Sequence, residues 1–124
     1  GGVIGTSNQT QLTRVTFDVT LAAGGDSVNL DPAATSNRTV ISYIDNGFTL
    51  NNVVYTVVVI AGNSDKLLEQ GELLEVSIDL TQNAGMAIAA NKTFTLELKP
   101  PSGSFMVIQR TTPASVAATI INLN

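Results

Sequence analysis

The stretch Thr13-Arg14-Val15-Thr16-Phe17-Asp18-Val19-Thr20-Leu21 decides the fold. Apolar and polar side chains alternate strictly along it: Val15, Phe17, Val19 and Leu21 fall on one side, and the intervening residues fall on the other. Successive side chains of a β-strand point to opposite faces of its sheet, so this period of two predicts a strand with one face buried and one in solvent.

The same pattern returns along the rest of the chain and predicts an all-β fold. A strand over 39–44 ends at Asp45-Asn46-Gly47, whose Asn-Gly pair favours a tight hairpin turn. Alternation recurs over 74–80 and 94–98, a partner strand is expected over 105–111, and the run 116–123 is expected to close a sheet edge. We expect an antiparallel, immunoglobulin-like β-sandwich of about seven to nine strands.

Three segments are less regular. The apolar, β-branched run Val53 to Ile60 is typical of a central strand covered on both faces. Residues 83–90 have no clear period and are compatible with a loop or with one or two helical turns. Residues 1–10 are interpreted as a tag scar and linker, which leaves 11–124 as a single β-sandwich domain.

Composition excludes several classes of function. The chain contains no His and no Cys, which rules out Ser-His-Asp and Cys-His catalysis and thiolate or imidazole zinc sites. A net charge of −4 with scattered basic residues gives no electrostatic basis for binding nucleic acid or a membrane. Only 13% of residues are charged, against roughly 25% in an average soluble domain, so much of the surface must be neutral.

The densest group of oxygen ligands lies in one loop, Asn63-Ser64-Asp65-Lys66-Leu67-Leu68-Glu69-Gln70-Gly71-Glu72. If this loop curls, oxygens of Asn63, Asp65, Glu69 and Glu72 can converge on one ion. Calcium accepts six to eight oxygens in forgiving geometry, and magnesium is less tolerant. The alternative is a single capped helical turn whose two leucines plug the end of the sandwich while the carboxylates are merely solvated.

Paired carboxylates are the one remaining route to catalysis. Glu75 and Asp79 share a strand face but lie about 13 Å apart, beyond the separation that glycosidases use. Asp18 with Glu97, or Asp45 with Asp65, are further candidates whose proximity the sequence does not fix. Solvated strand faces account for all of them, so no catalytic residues are assigned and the chain is not predicted to be an enzyme.

Aromatic residues are too few for a platform on which sugars stack. Phe17, Phe94 and Phe105 are in phase with the expected core. Only Tyr43, Phe48 and Tyr55 are expected to be partly exposed.

Three Asn-x-Thr triplets begin at Asn8, Asn37 and Asn91, and each is a potential N-glycosylation acceptor. A chain this rich in Asn and Thr yields about two such triplets by accident, so their number alone says little. Their placement in expected loops suits a projecting glycan.

Several segments, taken in order, resemble archaellins, the filament subunits of the archaeal motility organelle. They are residues 15–30, Thr39-Val40-Ile41-Ser42-Tyr43, residues 67–72 and the closing block 94–124, within which Leu98-Lys99-Pro100-Pro101-Ser102-Gly103 and Arg110-Thr111-Thr112-Pro113-Ala114 are the most telling. The family pattern also includes an apolar, pilin-like N-terminal helix that packs into the filament core. That helix is missing here, so the chain resembles the outer domain alone.

The resemblance implies a structural subunit of an extracellular, cell-surface filament that polymerises with other archaellins through the missing helix. It also implies N-glycans at Asn8, Asn37 and Asn91, and it strengthens the case for a structural Ca2+ or Mg2+ in the loop from Asn63 to Glu72. Two other functions remain open. One is a cell-surface adhesin or sheath domain that binds glycan or protein through its loops, and the other is a glycoside-active enzyme with two carboxylates.

Overall fold

The computed structural model describes residues 2–21, 23–101 and 105–124. Over these residues the chain forms β-strands and one short 3-10 turn, Leu80–Gln82. The strands are β1 (Val3–Ser7), β2 (Leu12–Val19), β3 (Val28–Asn29), β4 (Val40–Asp45), β5 (Phe48–Leu50), β6 (Thr56–Ala61), β7 (Leu67–Leu68), β8 (Leu73–Asp79), β9 (Thr93–Lys99), β10 (Met106–Thr111) and β11 (Ile120–Asn122).

The strands form two large sheets and one small one. A five-stranded sheet has the order β11-β1-β2-β8-β6, a four-stranded sheet has the order β10-β9-β4-β5, and β3 pairs with β7. Every strand pairing is antiparallel. The all-β, antiparallel prediction is therefore confirmed. The described residues form eleven strands rather than seven to nine. Two of the additional strands, β3 and β7, are only two residues long.

Both large sheets contribute to one core. Val15, Phe17 and Val19 of β2 are buried, as their alternation predicted, and Phe94 and Leu96 of β9 are buried in the same cluster. Tyr43 joins them from β4, its ring stacked on that of Phe94 with centroids 6.2 Å apart. Alternate residues of each strand thus point into the space between the sheets, which is the arrangement of a sandwich.

The interpretation of residues 1–10 as a linker is wrong for Val3–Ser7. This segment is β1, which lies inside the five-stranded sheet and pairs with β2 and β11. Its inward positions are small: a Cβ on Gly5 would lie 3.0 Å from Leu12 Cδ2 and 3.4 Å from Leu123 Cδ1. The glycine at this position makes room for the two core leucines.

The expectation that Val53 to Ile60 forms a central strand is also wrong. β6 is an edge strand of the five-stranded sheet. Val53, Tyr55 and Val57 are buried, but Val58 and Ile60 are each 52% exposed. The run is therefore a strand with one covered face, and its outward row is apolar except for Thr56.

The aromatic side chains are distributed differently from the prediction. Tyr43 and Tyr55 are buried rather than partly exposed, and Tyr55 keeps its hydroxyl satisfied by donating to the carbonyl of Thr39 at 2.7 Å. Phe48 is half-buried, as expected. Phe105, which was in phase with the expected core, is 61% exposed just before β10 begins.

Turns follow the sequence more closely. Asn46 and Gly47 join β4 to β5, with Asp45 opposite Phe48 and a φ of +117° at Gly47, as the hairpin signal predicted. Residues 83–90 contain no helix, and the only helical turn in the described chain precedes them at Leu80–Gln82. Ser102 and Gly103, which end one of the motifs quoted above, lie outside the described residues.

Candidate metal centre

The loop between β6 and β8 folds back on itself because two glycines permit backbone angles that other residues resist. Gly62 has φ +137° and Gly71 has φ +79°. A Cβ on Gly62 would lie 2.5 Å from Glu72 Oε2, so the carboxylate fits only against a bare backbone. The loop thereby returns Glu72 to the point where β6 ended.

Glu72 organises the loop from its centre. Its Oε2 accepts the backbone N–H of Asn63 at 3.0 Å, and its Oε1 accepts the backbone N–H of Glu69 at 2.9 Å. The residue is only 8% exposed. A buried carboxylate that accepts backbone hydrogen bonds on both oxygens holds the two arms of the loop at a fixed spacing.

Three carboxylates meet in this loop. One oxygen each from Asp65, Glu69 and Glu72 lies within 4.8 Å of the others. Asn63 lies beside them, donating from Nδ2 to Glu69 Oε1 at 3.2 Å and accepting the backbone N–H of Asp65 on Oδ1 at 3.2 Å. The four residues singled out from the sequence are thus brought together, with Asn63 bracing the other three through hydrogen bonds.

The chemistry of this group fits a hard cation. Three negative charges lie close together, and neither ion pair of the described chain, Arg14–Asp79 or Lys92–Asp45, neutralises them. Asp65 Oδ1 accepts the backbone N–H of Leu67 at 3.2 Å, and Glu69 Oε1 accepts from Asn63 Nδ2 at 3.2 Å. An exposed carboxylate, a half-buried one and a buried one so close together suit calcium, whose coordination tolerates irregular geometry and uses water for the remaining positions.

Two of the carboxylate pairs considered from the sequence fall on different parts of the fold. Asp18 lies opposite Glu75 across β2 and β8, whereas Glu97 belongs to the other sheet. Asp45 is bound to Lys92 and is not part of the group that contains Asp65. The carboxylate pairs weighed from the sequence are thus separated by the fold.

A second polar cluster was missed by the sequence reading. Asp45 Oδ2 accepts from the Tyr43 hydroxyl at 2.6 Å and lies 3.0 Å from Lys92 Nζ. Burial alone would raise the pKa of Asp45, but the hydrogen bonds from Tyr43 and Lys92 and the ammonium charge outweigh it and hold that pKa below its usual range. Burial and the neighbouring carboxylate raise the pKa of Tyr43. The sequence contains one indication of this cluster: Tyr43 and Asp45 are two residues apart, which places them on the same strand face.

The three potential glycosylation sites differ in geometry. Asn8, Asn37 and Asn91 are all exposed, and the last two occupy the left-handed region at φ +53° and +56°. At the first site the Thr10 hydroxyl donates to Asn8 Oδ1 at 2.8 Å in the open. At the second, Thr39 is only 1% exposed.

Comparison with known proteins decides the family. A family model described as archaeal-type flagellin matches residues 1–110. The chain belongs to the archaeal-type flagellin family. The resemblance seen in the sequence is thereby confirmed.

Individual relatives of this flagellin chain agree. The curated "Probable flagellin 1" of Archaeoglobus fulgidus is 31% identical over 138 aligned positions, which cover 96% of this chain and 65% of the relative. The present chain therefore spans slightly less than two thirds of the length of that relative.

Two solved structures share the fold. The crystal structure of archaeal flagellin FlaB1 from Methanocaldococcus jannaschii matches with a TM-score of 0.81 at 20% identity, over 98% of this chain and 93% of that one. The archaeal flagellum of Methanospirillum hungatei matches with a TM-score of 0.71 at 19% identity, over 98% of this chain and 68% of that one. In the described residues of this chain, no helix is long and apolar enough to cross a membrane.

Proposed function

We propose that this chain is the outer β-domain of a structural subunit in an archaeal motility filament. The observation that carries the proposal is the archaeal-type flagellin match over residues 1–110, and the fold it shares with archaeal flagellin supports it. The role is mechanical rather than catalytic: the subunit transmits force and presents a surface. A sandwich with antiparallel ladders and a single core supplies the rigidity that such a role needs.

Polymerisation is part of the proposal and depends on chain outside these 124 residues. The Archaeoglobus relative is about half as long again as the region that matches. An apolar N-terminal helix in that additional chain would pack into the filament core, and the domain described here would face outward, outside the cell, beside other archaellins.

Two features of the outer domain belong to the same proposal. Asp65, Glu69 and Glu72, braced by Asn63, would hold a structural Ca2+ or Mg2+ and stabilise the loop between β6 and β8. Asn8, Asn37 and Asn91 would carry N-glycans on the exposed surface. The cation would stiffen the loop and the glycans would protect the surface, and neither would change the fold.

Antibodies raised against this 124-residue domain test the filament assignment. Immuno-electron microscopy of the source organism should show label along the whole length of its motility filaments, and deletion of the gene should remove that label. A deletion strain complemented with the gene is the control. Label confined to the cell envelope or sheath, with filaments bare, would contradict the proposal and favour the adhesin or sheath function.

A further inference from the structure

β6 is an edge strand without charge or proline, and the register shift between Val59 and Ala61 is its one feature of the kind that limits pairing with another chain. Natural edge strands are commonly short, charged or interrupted by proline. β6 has six residues, Thr56–Ala61, none of them charged or proline. The chain carries no charged residue at all between Asp45 and Asp65.

The outward row of this edge is apolar except for the exposed Thr56. Val58 and Ile60 are each 52% exposed, and Val54, which precedes the strand in the same phase, is 54% exposed. On the inner face, Val57 is buried in the core, which fixes which way this row points. In the described structure β6 pairs only with β8, so the backbone donors and acceptors on its other side pair with no strand. They lie beside the exposed side chains of Val58 and Ile60.

The opposite edge of the same sheet has matching properties. β11 is the other edge strand, and its Ile120 is 62% exposed. Next to it on β1, Ile4 is 37% exposed and lies opposite Asn122. No charged residue follows Arg110 in the chain. Neither edge strand carries a charged residue of its own, although Glu75 of β8 lies opposite Val58.

We propose that the β6 edge of one copy docks against the β11 edge of a second copy, so that the five-stranded sheet continues from one subunit into the next. This rests on the proposed function as a filament subunit. An interface between two different edges can repeat from subunit to subunit, as a filament requires when the rotation does not close a ring, whereas β6 against β6 would close as a dimer. Backbone pairing would set the register, and the valines and isoleucines would supply the buried apolar area.

A second copy is the occupant that the two edges favour over an unrelated partner. One sheet presents two complementary, uncharged edges at its opposite ends, and the chain shares its fold with the subunit of a solved archaeal flagellum. A third exposed apolar strand, β10, includes Val107 at 58% exposure but belongs to the other sheet. Val107 therefore provides a matched control for Val58.

Cysteine cross-linking tests the contact directly, because the chain contains no native Cys. Filaments should be prepared from the full-length protein carrying both Val58→Cys and Ile120→Cys, and treated with a short bis-maleimide. We expect a ladder of covalent multimers, since each subunit would link to the next. Val58→Cys alone should give no ladder, and the pair Val107→Cys with Ile120→Cys should give none either.

Each alternative result has a definite meaning. Intact filaments without a ladder from the Val58 and Ile120 pair would overturn the edge contact while leaving the filament function in place. Dimers from Val58→Cys alone would show a closed β6-to-β6 contact and would also overturn it. If the wild-type protein is absent from filaments, the proposed function itself fails.

A milder substitution covers the case in which the double variant does not assemble. Val58→Thr keeps the shape and β-propensity of the side chain but adds a hydroxyl. It should lower the temperature at which filaments dissociate, whereas Val107→Thr should not. Equal shifts for the two variants would count against the contact.

Discussion

Lys92 Nζ lies 3.0 Å from Asp45 Oδ2, on the same oxygen that accepts the Tyr43 hydroxyl at 2.6 Å. Lys92 Nζ also donates to the carbonyl of Ala87 at 2.6 Å. The Asp45 side chain is 3% exposed, and that of Lys92 is 33% exposed. This ion pair joins the end of β4 to the residue just before β9, where Asp45 already lies opposite Phe94, so it reinforces the β4–β9 pairing at that end.

The Asp45 ion pair should make the domain sensitive to acid. The pKa of Asp45 is held below its usual range in the folded state, so its stabilising contribution is present above the unfolded-state pKa and is lost as pH falls through the folded pKa. At pH 7, Asp45→Asn should lower the free energy of unfolding by about 1.5–3 kcal/mol, the usual value for a hydrogen bond to a charged group. Urea denaturation at several pH values measures the difference between the two proteins.

The difference between wild type and Asp45→Asn should shrink towards zero in strong acid. Asp26→Asn, which alters an exposed carboxylate in a loop, is the matched control and should leave stability almost unchanged. A difference that stays constant down to pH 2 would show that the carboxylate charge contributes nothing.

A divalent cation should stabilise the domain through the loop between β6 and β8. A ligand that binds only the folded state adds about 2.7 kcal/mol at one hundred times its Kd. Millimolar Ca2+ should therefore raise the Tm of the 124-residue domain, and Asp65→Asn should remove that increase while changing the metal-free Tm little, because Asp65 is exposed. Calorimetric scans with Ca2+, with Mg2+ and with a chelator provide the measurement.

Glu72→Gln distinguishes the two roles of Glu72, which are metal binding and hydrogen bonding to the loop backbone. Because the Glu72 carboxylate accepts two backbone N–H groups, this variant should lower the Tm even in a chelator. Asp26→Asn should keep the full response to the cation. An unchanged wild-type Tm at millimolar Ca2+ and Mg2+ would end the metal proposal.

Gly62 should not tolerate alanine. The variant would place a Cβ 2.5 Å from Glu72 Oε2 and would force a non-glycine residue to φ +137°. A strained backbone of this kind costs on the order of 1–3 kcal/mol, and displacement of Glu72 would add to it. Chemical denaturation measures the loss. Gly24→Ala is the control, since φ there is +81° and nothing lies within 4 Å of the added Cβ, and a loss as large at Gly24 would refute the steric explanation.

Local patterns were sufficient to predict much of the fold. The alternation of Val15, Phe17 and Val19 placed these side chains on the core face correctly, and the Asn46-Gly47 turn lies where the sequence placed it. These features depend on side-chain period and turn chemistry, which are properties of neighbouring residues. The loop from Asn63 to Glu72 was located for the same reason: its ligands lie close together in sequence, and the curl that joins them needs only local glycines.

Long-range relationships were less accessible. The burial of β1 depends on the packing of Leu12 and Leu123 against Gly5. The ion pair between Asp45 and Lys92 joins residues that are far apart in the sequence. The run around Val58 was mistaken for a central strand because the identity of an apolar residue does not show whether its side chain faces the core or solvent. Only the order of strands in the sheet shows that β6 lies at an edge.

The three glycosylation sites should differ in occupancy on the native protein. Recognition of Asn-x-Thr involves the Thr hydroxyl as well as the Asn amide. Thr10 and Thr93 are exposed, whereas Thr39 is buried, so we expect higher occupancy at Asn8 and Asn91 than at Asn37 if the folded domain is the substrate. Mass spectrometry of peptides from native filaments measures each site. Gln substitutions at Asn8 and at Asn91 should each remove one glycan mass, and full occupancy at Asn37 with the other two bare would show that modification precedes folding or follows another rule.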